Sequence, residues 1–593
     1  MWHSNAPWSP TGYGTQTGLW VPKFAELGHD MAISAFYGLM GARTGWGGIP
    51  VYPGGAHLFG TDVLAGHAKH FGADLVICLG DPFAQDVTEL AKLNTAFWTP
   101  VDREPLGKLD TDALSASRTR VIALSMFGEN SLRAAGFDPL YVPHGIDTSI
   151  FRPPKNRGEL RKILGLPEDA FIIGINATNK DPSRKSFPEQ FIAFAGLYAK
   201  HPDALLLVHT DPAPVYSGVD LGVLADDLGI SKAIRWADQY SYKTGAYTQQ
   251  DMAAWYGMLD LLSACSYGEG FGLPIIEAQA CGVPVVVTDA SAMTELKGPG
   301  WIVAGEPDRH HAHRAWWTKP YVGEIAAAYE HAYNGGVNSR REPAREFAMQ
   351  YDADKVLAGY WQPVLEQLEA ETEERKEGVH RFAGFKWQID DNLPTGDALA
   401  LGHEAALDAE VLGMIPEGGV FLDIGAHVGH YALRASRKAL RVIAVEAGED
   451  TANRLRHNLA LNGIKNVEVC QVAAWDERTK LQLFSPSGHA RDGSSRVLDG
   501  PVNSITALPL DDLLADEPRI DVVKMDVEGA DLRVLRGMRE TLQRLKPQLF
   551  IEDHSIYGYY ERQDLNALLE ELGYQWRDLP LYGGYVIAEH KEK

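Results

Sequence analysis

Short apolar runs rich in β-branched residues alternate with helix-like stretches along most of this sequence, and the alternation restricts the folds that the chain can adopt. Such runs cover residues 74–80, 171–176, 204–210 and 283–288, and again residues 420–425, 441–446, 466–472, 521–526 and 548–552. Apolar runs of this length indicate parallel strands that helices cover on both faces. We therefore predict an α/β fold in both parts of the chain.

The chain is long enough for several domains. A single hydrophobic core stops growing at roughly 250 to 300 residues, so 593 residues predict three or more globular units. Prolines and polar residues interrupt the pattern at 153–156, and a charged segment with almost no apolar face covers 365–377. We interpret that segment as a solvated helix end and linker, with a partner-binding helix as the alternative. The predicted domains are residues 1–152, 153–364 and 384–593, with a linker at 365–383.

The composition favours a globular cytoplasmic protein. Hydrophobic residues make up 45% of the chain and charged residues 23%, and no apolar run approaches the roughly 18 residues that a membrane span requires. Residues 1–5 lack the basic and then apolar arrangement of a secretion signal. We expect no membrane span and a cytoplasmic location.

The net charge of −24 argues against a nucleic-acid partner, because binding a phosphate backbone normally requires a basic face. The four cysteines form no Cys-x-x-Cys pair, and we interpret them as buried apolar residues. No metal site is predicted. The cysteines are Cys78, Cys265, Cys281 and Cys470.

The segment 267–286 carries the most specific pattern of the first half. Glu269 and Glu277 are separated by seven residues, with two glycines between them and an apolar strand after them. Glycines let a backbone close on a ligand, and amides at a helix N-terminus can bind phosphate oxygens. On its own, Gly-x-Gly before a helix is a common turn, and both acids can serve as helix caps.

The complete string resembles the E-x7-E signature of retaining, family-four glycosyltransferases of the GT-B fold. The resemblance covers roughly residues 1–368 and implies an acceptor-side Rossmann-like unit, then a nucleotide-sugar-binding unit with a helix that crosses back. It implies that Glu269 holds donor-sugar hydroxyls at the reaction centre and that Glu277 binds the ribose of the nucleotide. The other donor-site residues implied by this string are Gly270, Phe271, Gly272 and Leu273.

Two earlier segments agree with this resemblance. The segment 9–16 resembles the glycine loop after the first strand, where Gly12 and Gly14 allow close approach of the donor phosphates. A plain turn is the alternative. The segment 142–147 (VPHGID) matches the connection into the second unit.

A basic pair supports the same interpretation. Breaking a glycosyl–phosphate bond puts negative charge on the diphosphate, which fixed cations can stabilise. Arg184 and Lys185 lie where the family carries such a pair, and a solvated surface pair is the alternative. Many relatives carry Gly-Arg just upstream, where this chain has residues 176–180; whether Lys180 replaces that arginine is open. Asp102 is the candidate cleft carboxylate on the acceptor side, with a local ion pair as the alternative.

In the last third, residues 420–431 predict a strand, a glycine turn and a helix. The pattern Asp423-x-Gly425-x-x-x-Gly429 differs from the dinucleotide pattern Gly-x-Gly-x-x-Gly. The next strand ends in Glu446, 23 positions after Asp423, where an acid can grip ribose hydroxyls. We predict a site for S-adenosylmethionine (SAM), with an NAD site as the alternative.

Five further blocks follow in order at 458–462, 473–476, 510–514, 521–531 and 552–554. With the glycine turn they closely resemble FkbM-type methyltransferases, which commonly methylate hydroxyl groups of sugars and other natural products. The resemblance covers about residues 384–585 and implies a Rossmann-like class I methyltransferase domain. The SAM-binding residues that it implies are Asp423, Gly425, His427, Gly429, Glu446 and Ala474.

Methyl transfer to a hydroxyl requires positioning and a group that accepts one proton. Asp526 and Glu528 are candidates for orienting the acceptor, with support of the turn at Gly529 as the alternative. His554 is the best-placed neutral base in sequence order, although a lone histidine is often structural. The spacing of Asp526, Glu528 and Asp553 indicates no particular metal.

Together these features predict a bifunctional enzyme. One half transfers a sugar from a nucleotide sugar to an acceptor hydroxyl with retention, and the other O-methylates a sugar hydroxyl with SAM. Fusion raises the effective concentration of each activity near a shared product. The acceptor is a protein, such as a virion or surface-layer subunit, or a glycan, with polysaccharide or glycolipid synthesis as the alternative. A second alternative makes one half a binding module, but the motif acids are present in both halves.

Overall fold

The computed structural model describes residues 1–117, 119–213, 217–382, 384–388, 405–484, 496–499, 504–579 and 584–592. The chain divides into two compact units, Met1–Thr372 and Glu373–Lys593. Residue 383 of the predicted linker and residues 389–404, in the predicted methyltransferase domain, lie outside the described residues. In the part of the chain that is described, no helix combines the length and apolar character that crossing a bilayer requires.

The first unit begins with an eight-stranded sheet of order β3-β4-β2-β1-β5-β6-β7-β8, in which only β3 and β4 pair antiparallel. Its strands are β1 (Trp2–Asn5), β2 (Ile33–Tyr37), β3 (Thr44–Trp46), β4 (Ile49–Tyr52), β5 (Val76–Leu79), β6 (Thr95–Thr99), β7 (Arg120–Ala123) and β8 (Leu140–Tyr141). Its helices are α1 (Gly12–Glu26), α2 (Thr61–Phe71), α3 (Val87–Leu90), α4 (Lys108–Ser117) and α5 (Met126–Ala134), with a 3-10 turn at Pro82–Ala84.

A six-stranded parallel sheet of order β11-β10-β9-β12-β13-β14 follows. This is the doubly wound order with its switch point between β9 and β12. Its strands are β9 (Ile172–Asn176), β10 (Leu205–His209), β11 (Ile234–Trp236), β12 (Leu261–Ala264), β13 (Val285–Thr288) and β14 (Trp301–Val303). Its helices are α6 (Arg157–Ile163), α7 (Phe187–Tyr198), α8 (Leu221–Asp227), α9 (Gln239–Thr244), α10 (Gln249–Gly257), α11 (Leu273–Ala280), α12 (Ser291–Leu296), α13 (Val322–His331) and α14 (Arg341–Ala348).

Two additions complete this unit. An antiparallel hairpin follows β14, and helical turns then lead the chain back to the first sheet. The hairpin strands are β15 (Gly305–His310) and β16 (Ala315–Pro320), and the last helices are α15 (Ala353–Val356) and α16 (Gln362–Lys376). Short 3-10 or π-helical segments lie at Ser231–Ala233, Ala332–Gly336, Asn338–Arg340, Met349–Tyr351 and Leu357–Trp361.

The predicted linker at 365–383 is mostly regular structure. Helix α16 continues through Lys376, and a hairpin strand begins at Val379. Leu365 and Leu368 are buried in the same core as Trp2 and Trp361. Apolar residues on one face of α16 therefore hold its first part against the first sheet, and the boundary between the two compact units falls inside this helix.

The second unit has a seven-stranded sheet of order β21-β20-β19-β26-β27-β29-β28, parallel except at β29. A hairpin (β17, β18) and a four-stranded sheet of order β22-β25-β23-β24 accompany it. The strands are β17 (Val379–Phe382), β18 (Phe385–Gln388), β19 (Val420–Ile424), β20 (Arg441–Glu446), β21 (Val467–Gln471), β22 (Ala473–Ala474), β23 (Thr479–Phe484), β24 (Arg496–Asp499), β25 (Ser504–Leu508), β26 (Val522–Met525), β27 (Gln548–Glu552), β28 (Tyr574–Asp578) and β29 (Tyr585–His590).

Helices cover this sheet as the sequence predicts. They are α17 (Ala405–Met414), α18 (His430–Ala435), α19 (Glu449–Leu461), α20 (Leu510–Leu513), α21 (Asp531–Gly537), α22 (Arg539–Leu545) and α23 (Arg562–Glu571), with a 3-10 turn at His554–Tyr557. The predicted α/β fold is confirmed in both units. In each sheet the functional loops follow the carboxyl ends of parallel strands, where ligands of such folds bind.

Candidate active sites

A cavity of about 770 Å³ lies in the first unit, and side chains from both Rossmann-like halves line it. This volume is within the usual range for a small-molecule site. The first half contributes Gly12 and Asp102, and the second contributes Arg184, Lys185 and Glu269. The structure therefore brings together the acceptor-side and donor-side residues named from the sequence.

The glycine loop at the start of α1 forms one wall of this cavity. Thr11 caps the helix, since its Oγ1 accepts a hydrogen bond from the Gly14 amide at 3.0 Å. The Asn5 side chain donates to the same oxygen at 2.6 Å. Gly12 lines the cavity in the first turn of the helix. The amides of this helix start are thus held near the ligand space.

The loop 268–272 lies directly against the first half. A Cβ placed on Gly270 would be 2.3 Å from Pro100 Cβ, so any larger residue would push the two halves apart. Phe271 is buried with its ring 5.2 Å from that of His144. Gly272 and Leu273 then start α11. This close packing fixes the position of Glu269.

Glu269 forms the centre of a charged cluster. Its Oε1 accepts hydrogen bonds from Lys185 and, at 2.5 Å, from Ser266 Oγ, and its Oε2 lies 3.5 Å from Arg184 Nη1. Burial opposes ionisation of Glu269, but Lys185 and Arg184 outweigh it and hold its pKa below the usual value. The basic pair is part of the cavity wall and not a solvated surface pair.

Asp102 takes part in two ion pairs. Its Oδ1 accepts a hydrogen bond from Arg103 Nε at 2.7 Å, and its Oδ2 lies 3.8 Å from Arg184 Nη1. The local pair considered from the sequence therefore exists, and the carboxylate also lies in the cavity wall.

Glu277 is linked to the cavity through two successive hydrogen bonds. It is buried in α11, and the Tyr256 hydroxyl donates to its Oε2 at 2.7 Å while accepting from Asn176, a cavity residue. Burial raises the pKa of Glu277 to about 7, against the lowering effect of the Tyr256 hydrogen bond. Lys180, the open candidate for the missing arginine, lines the cavity itself.

Several residues that line the cavity were not predicted from the sequence. Asp81 follows β5 and Asp110 lies in α4, and each is an acid without a recognised motif. His310, His313 and Trp317 come from the β15–β16 hairpin. The dense run of histidines and tryptophans over 310–317 is the signal that could have drawn attention to this segment.

The glycine turn of the second unit leaves no room for side chains. A Cβ on Gly425 would lie 1.8 Å from the Asp526 backbone oxygen, at a φ of +77° that L-residues rarely adopt. Gly429 immediately precedes α18. Glu446, at the end of β20, accepts a hydrogen bond from the His427 amide at 2.8 Å. The structure thus joins the turn and the predicted ribose-binding acid.

Asp423 is fully buried beneath this turn. Within the described residues neither of its carboxylate oxygens has a hydrogen-bond partner. The Lys524 ammonium lies 3.9 Å away and also 3.3 Å from Asp526. Burial raises the pKa of Asp423 to about 6 although Lys524 acts in the opposite direction. A cationic or hydrogen-bond-donating ligand group would satisfy these oxygens.

His554 is held by a partner that sequence analysis missed. Its Nδ1 lies 3.1 Å from Asp531 Oδ2, and its Nε2 lies 3.7 Å from Asp526 and 3.9 Å from Glu528. Burial opposes the charged imidazole, but the Asp531 hydrogen bond and charge outweigh it and raise the pKa of His554 to about 9. The raised pKa favours the imidazolium form of His554 at neutral pH, whereas sequence order suggested a neutral base; the catalytic role of His554 stays a prediction.

The neighbouring acids differ in environment. Burial opposes ionisation of Asp526, but Lys524 and His554 lower its pKa overall. Glu528 occupies a left-handed backbone position at φ +49°, within the turn that leads to α21. That geometry supports both of its predicted roles, the turn and the site.

Among the described residues, one group of side chains could hold a metal ion. Asp526, Glu552 and His554 each offer a ligand atom, and these atoms lie within 4.8 Å of one another.

Ala474, a predicted SAM-binding residue, is buried at the end of β22 in the apolar core of this unit. It contributes packing beside the sheet in the described structure.

These folds and sites define the class of the protein: a GT-B glycosyltransferase fold joined to a Rossmann-like class I methyltransferase fold. Residues 226–313 match the family described as glycosyl transferases group 1, and residues 423–576 match the methyltransferase FkbM domain. The chain therefore combines these two domain types, and both resemblances drawn from the sequence are confirmed.

Two similar proteins are glycosyltransferases, in agreement with the family match in the first unit. A lipopolysaccharide core biosynthesis mannosyltransferase, LpsB of Rhizobium meliloti (strain 1021), is 29% identical over 229 residues, 37% of this chain and 59% of its own length. A D-inositol 3-phosphate glycosyltransferase of Catenulispora acidiphila is 30% identical over 249 residues, 39% of this chain and 56% of its own. This chain spans somewhat more than half the length of these two relatives.

A solved structure supports the fold. Sucrose-phosphate synthase from Thermosynechococcus elongatus matches 62% of this chain and 98% of its own chain, with a TM-score of 0.50 and 14% sequence identity.

Proposed function

We propose that the first unit transfers a sugar from a nucleotide-sugar donor to an acceptor hydroxyl with retention of configuration. The observation that carries this proposal is the convergence of Arg184 and Lys185 on Glu269 inside the cavity. The two cations stabilise the charge of the departing diphosphate. Glu269 holds donor-sugar hydroxyls, and Glu277 holds the nucleotide ribose from behind the wall.

A donor panel tests this proposal. The full chain is incubated with GDP-mannose and with UDP- and dTDP-sugars, and donor turnover is followed by release of the nucleoside diphosphate. We expect turnover of one donor, and loss of that turnover in Glu269→Gln. Glu330→Gln is the control, because Glu330 is a surface residue paired with Lys200 and His201. Absence of turnover and of nucleotide binding across the panel would contradict the proposal.

We further propose that the second unit transfers the methyl group of SAM to a hydroxyl. The residues fit this cofactor: Gly425 allows backbone approach, and the buried Asp423 has both oxygens available to a donor group. Glu446 Oε1 accepts hydrogen bonds from the Gly448 amide and the Thr451 hydroxyl. Its Oε2, which accepts from the His427 amide, keeps a lone pair for a ribose hydroxyl. SAM supplies the electrophilic methyl group, and Asp526 stays ionised to accept the proton of the attacking hydroxyl. His554, fixed by Asp531, orients that carboxylate.

Calorimetry with SAM tests the second activity. Asp423→Asn removes the charge beneath the turn and is expected to weaken SAM binding at least tenfold. Glu449→Gln, an exposed residue at the start of α19, is the matched control. Equal SAM affinity in the two variants would contradict the assignment of Asp423.

We infer that the two activities act on one glycan, since fusion raises the effective concentration of one product at the second site. The acceptor that we propose is a hydroxyl of a protein or a glycan, with synthesis of a polysaccharide or glycolipid as the alternative. The name of the LpsB relative, a lipopolysaccharide core enzyme, favours that alternative for its own case. Intact-mass analysis of candidate acceptors separates these alternatives, because it shows which molecule gains the sugar. If both activities act on one glycan, the same molecule also gains the methyl group.

A further inference from the structure

The β15–β16 hairpin is fastened to both halves of the first unit. The Glu104 amide donates to the Trp316 carbonyl at 3.1 Å, and the Trp316 amide donates back to the Glu104 carbonyl at 2.8 Å. The Lys108 amide donates to the His313 carbonyl at 2.8 Å, and the Thr318 amide donates to the Tyr267 carbonyl at 3.0 Å. The hairpin therefore has a fixed position at the cavity, beside the acceptor-side residues 102–110.

The two tryptophans of the hairpin have opposite environments. Trp317 lines the cavity, is 8% exposed and has the Arg103 guanidinium over its ring at 5.3 Å. Trp316 is 43% exposed and has the Arg309 guanidinium over its ring at 4.8 Å. The alternation follows from the pleat of β16, since successive side chains point to opposite faces. One aromatic residue of the pair is thus committed to the cavity wall.

This wall offers both kinds of hydrogen-bonding group. Trp317 Nε1 and Arg103 Nη1 are buried N–H groups that find no partner among the described residues. Asp110 Oδ2 lies 3.1 Å from His313 Nδ1, and Asp81 Oδ2 accepts a long hydrogen bond from the Tyr13 hydroxyl at 3.4 Å. Hydroxyl groups both donate and accept, so a polyhydroxyl ligand matches such a wall.

The charge balance opposes an anionic ligand at this wall. Three carboxylates, Asp81, Asp102 and Asp110, face the single guanidinium of Arg103. Burial raises the pKa of Asp110 to about 7 even though Arg103 acts in the opposite direction. Of the basic pair, Lys185 is paired with Glu269, and Arg184 lies between Glu269 and Asp102, at 3.5 and 3.8 Å. A phosphate placed among these acids would meet three carboxylates, with the Arg103 guanidinium and an Arg184 guanidinium shared with Glu269 as the neighbouring cations, so its negative charge would be opposed.

We propose that the β15–β16 hairpin, with Asp81 and Asp110, forms the acceptor subsite of the first unit, and that this subsite takes an uncharged ring bearing several hydroxyls and discriminates against phosphorylated acceptors. The inference rests on the glycosyltransferase function proposed above. It assigns Trp317 as the residue that contacts the acceptor ring, because stacking of a sugar ring on an aromatic side chain buries the apolar face of the sugar.

Saturation-transfer NMR on the full chain tests the proposal. Nucleoside diphosphate is present to fill the donor side, and the probes are methyl α-mannoside, methyl α-glucoside and myo-inositol, each compared with its monophosphate. We expect at least one neutral probe to bind and its monophosphate to bind at least about tenfold more weakly. Trp317→Ala should weaken the neutral probe about tenfold, which corresponds to about 1.4 kcal/mol, whereas Trp316→Ala should leave it unchanged.

Trp317→Phe separates a folding defect from a lost contact. It keeps an aromatic face in the wall but lacks the Nε1–H, so it should bind the neutral probe more weakly than the unchanged protein and more tightly than Trp317→Ala. Tighter binding of the monophosphates, no binding by any neutral probe, or equal losses in Trp317→Ala and Trp316→Ala would each overturn the proposal. Nucleoside diphosphate affinity is measured in the same samples. If the unchanged protein does not bind nucleoside diphosphate, the result counts against the glycosyltransferase function. If it binds nucleoside diphosphate but none of the neutral probes, the result counts against the acceptor subsite alone.

Discussion

The two candidate sites treat charge in opposite ways. In the first unit, Glu269 is met by two cations, Arg184 and Lys185, at the end of one loop. In the second unit, Asp423 and Asp526 share one ammonium, Lys524, and neither oxygen of Asp423 has a hydrogen-bond partner among the residues that the structure describes. A diphosphate is an anion and a sulfonium is a cation. The charges at the two sheet edges therefore suit the ligands proposed above: a diphosphate beside the two cations of the first unit and a sulfonium beside the two carboxylates of the second.

The largest expected effect comes from removing one of the two cations beside Glu269 in the first unit. Lys185→Ala removes one of the two charges that stabilise the departing diphosphate, so we expect kcat of sugar transfer to fall on the order of 100- to 1,000-fold. Methyl transfer by the same variant should be unchanged. Lys200→Ala, which removes an exposed lysine paired with Glu330, is the control. A loss of less than tenfold in Lys185→Ala would mean that Arg184 alone carries this role.

The second prediction concerns the pair Asp531 and His554. Asp531→Asn removes the negative partner, so the pKa of His554 should fall from about 9 toward its ordinary value near 6.5. The folded-state pKa is raised, so the pair stabilises the protein below about pH 6.5, and this contribution is lost as the pH rises through about 9. In Asp531→Asn that pH dependence should be absent.

Histidine-labelled NMR titration measures this shift, with His554→Gln used to assign the signal. Urea unfolding of the full chain at pH 7 and pH 9 gives the stability difference independently. A His554 that titrates near pH 6.5 in the unchanged protein would remove the distinction drawn between a cationic orienting residue and a neutral base.

The third prediction tests the anionic side at the cofactor. Glu446→Ala removes the acceptor that holds the His427 amide and faces the expected ribose, and we expect SAM affinity to fall about tenfold. Calorimetry measures it, with Glu449→Ala as the control. Unchanged affinity would mean that the turn positions SAM through Asp423 without this acid.

The smallest expected effect concerns Glu277, the acid behind the nucleotide side. Its pKa is raised to about 7, so nucleoside diphosphate affinity should rise about two- to fivefold between pH 6 and pH 8 as the carboxylate ionises and becomes a better hydrogen-bond acceptor. Glu277→Gln should show a flat profile at the lower affinity. An equally steep profile in Glu277→Gln would assign the pH dependence to another group.

The linear sequence determined the fold type and most motif positions. Apolar β-branched runs predict β9, β13, β19 and β26 because strands covered on both faces have no polar alternation. Glu269, Arg184 and Lys185 were found because each lies within a short string with a fixed order. Such strings are local, so their residues are visible before folding.

The sequence could not predict the roles of residues that depend on contacts with distant parts of the chain. Asp531 became the partner of His554 only when α21 and the end of β27 met, 23 positions apart in sequence. The charged segment at 365–377 was interpreted as a linker because it has few apolar residues. Two of these pack in the same core as Trp2, at the other end of the first unit, and the sequence does not reveal that contact. The hairpin 305–320 likewise reached the cavity through bonds to residues near 104.

What the sequence alone determined is the presence of two α/β catalytic modules and the type of ligand group that each loop can bind, since strand periodicity and glycine-containing motifs are encoded locally. The tertiary structure alone decided the protonation of those groups. Burial and distant partners make His554 a cation, raise the pKa of Glu277 and Asp423, and leave Glu269 ionised between two cations. A pKa depends on the charges and water excluded around a group, and these are properties of the folded chain.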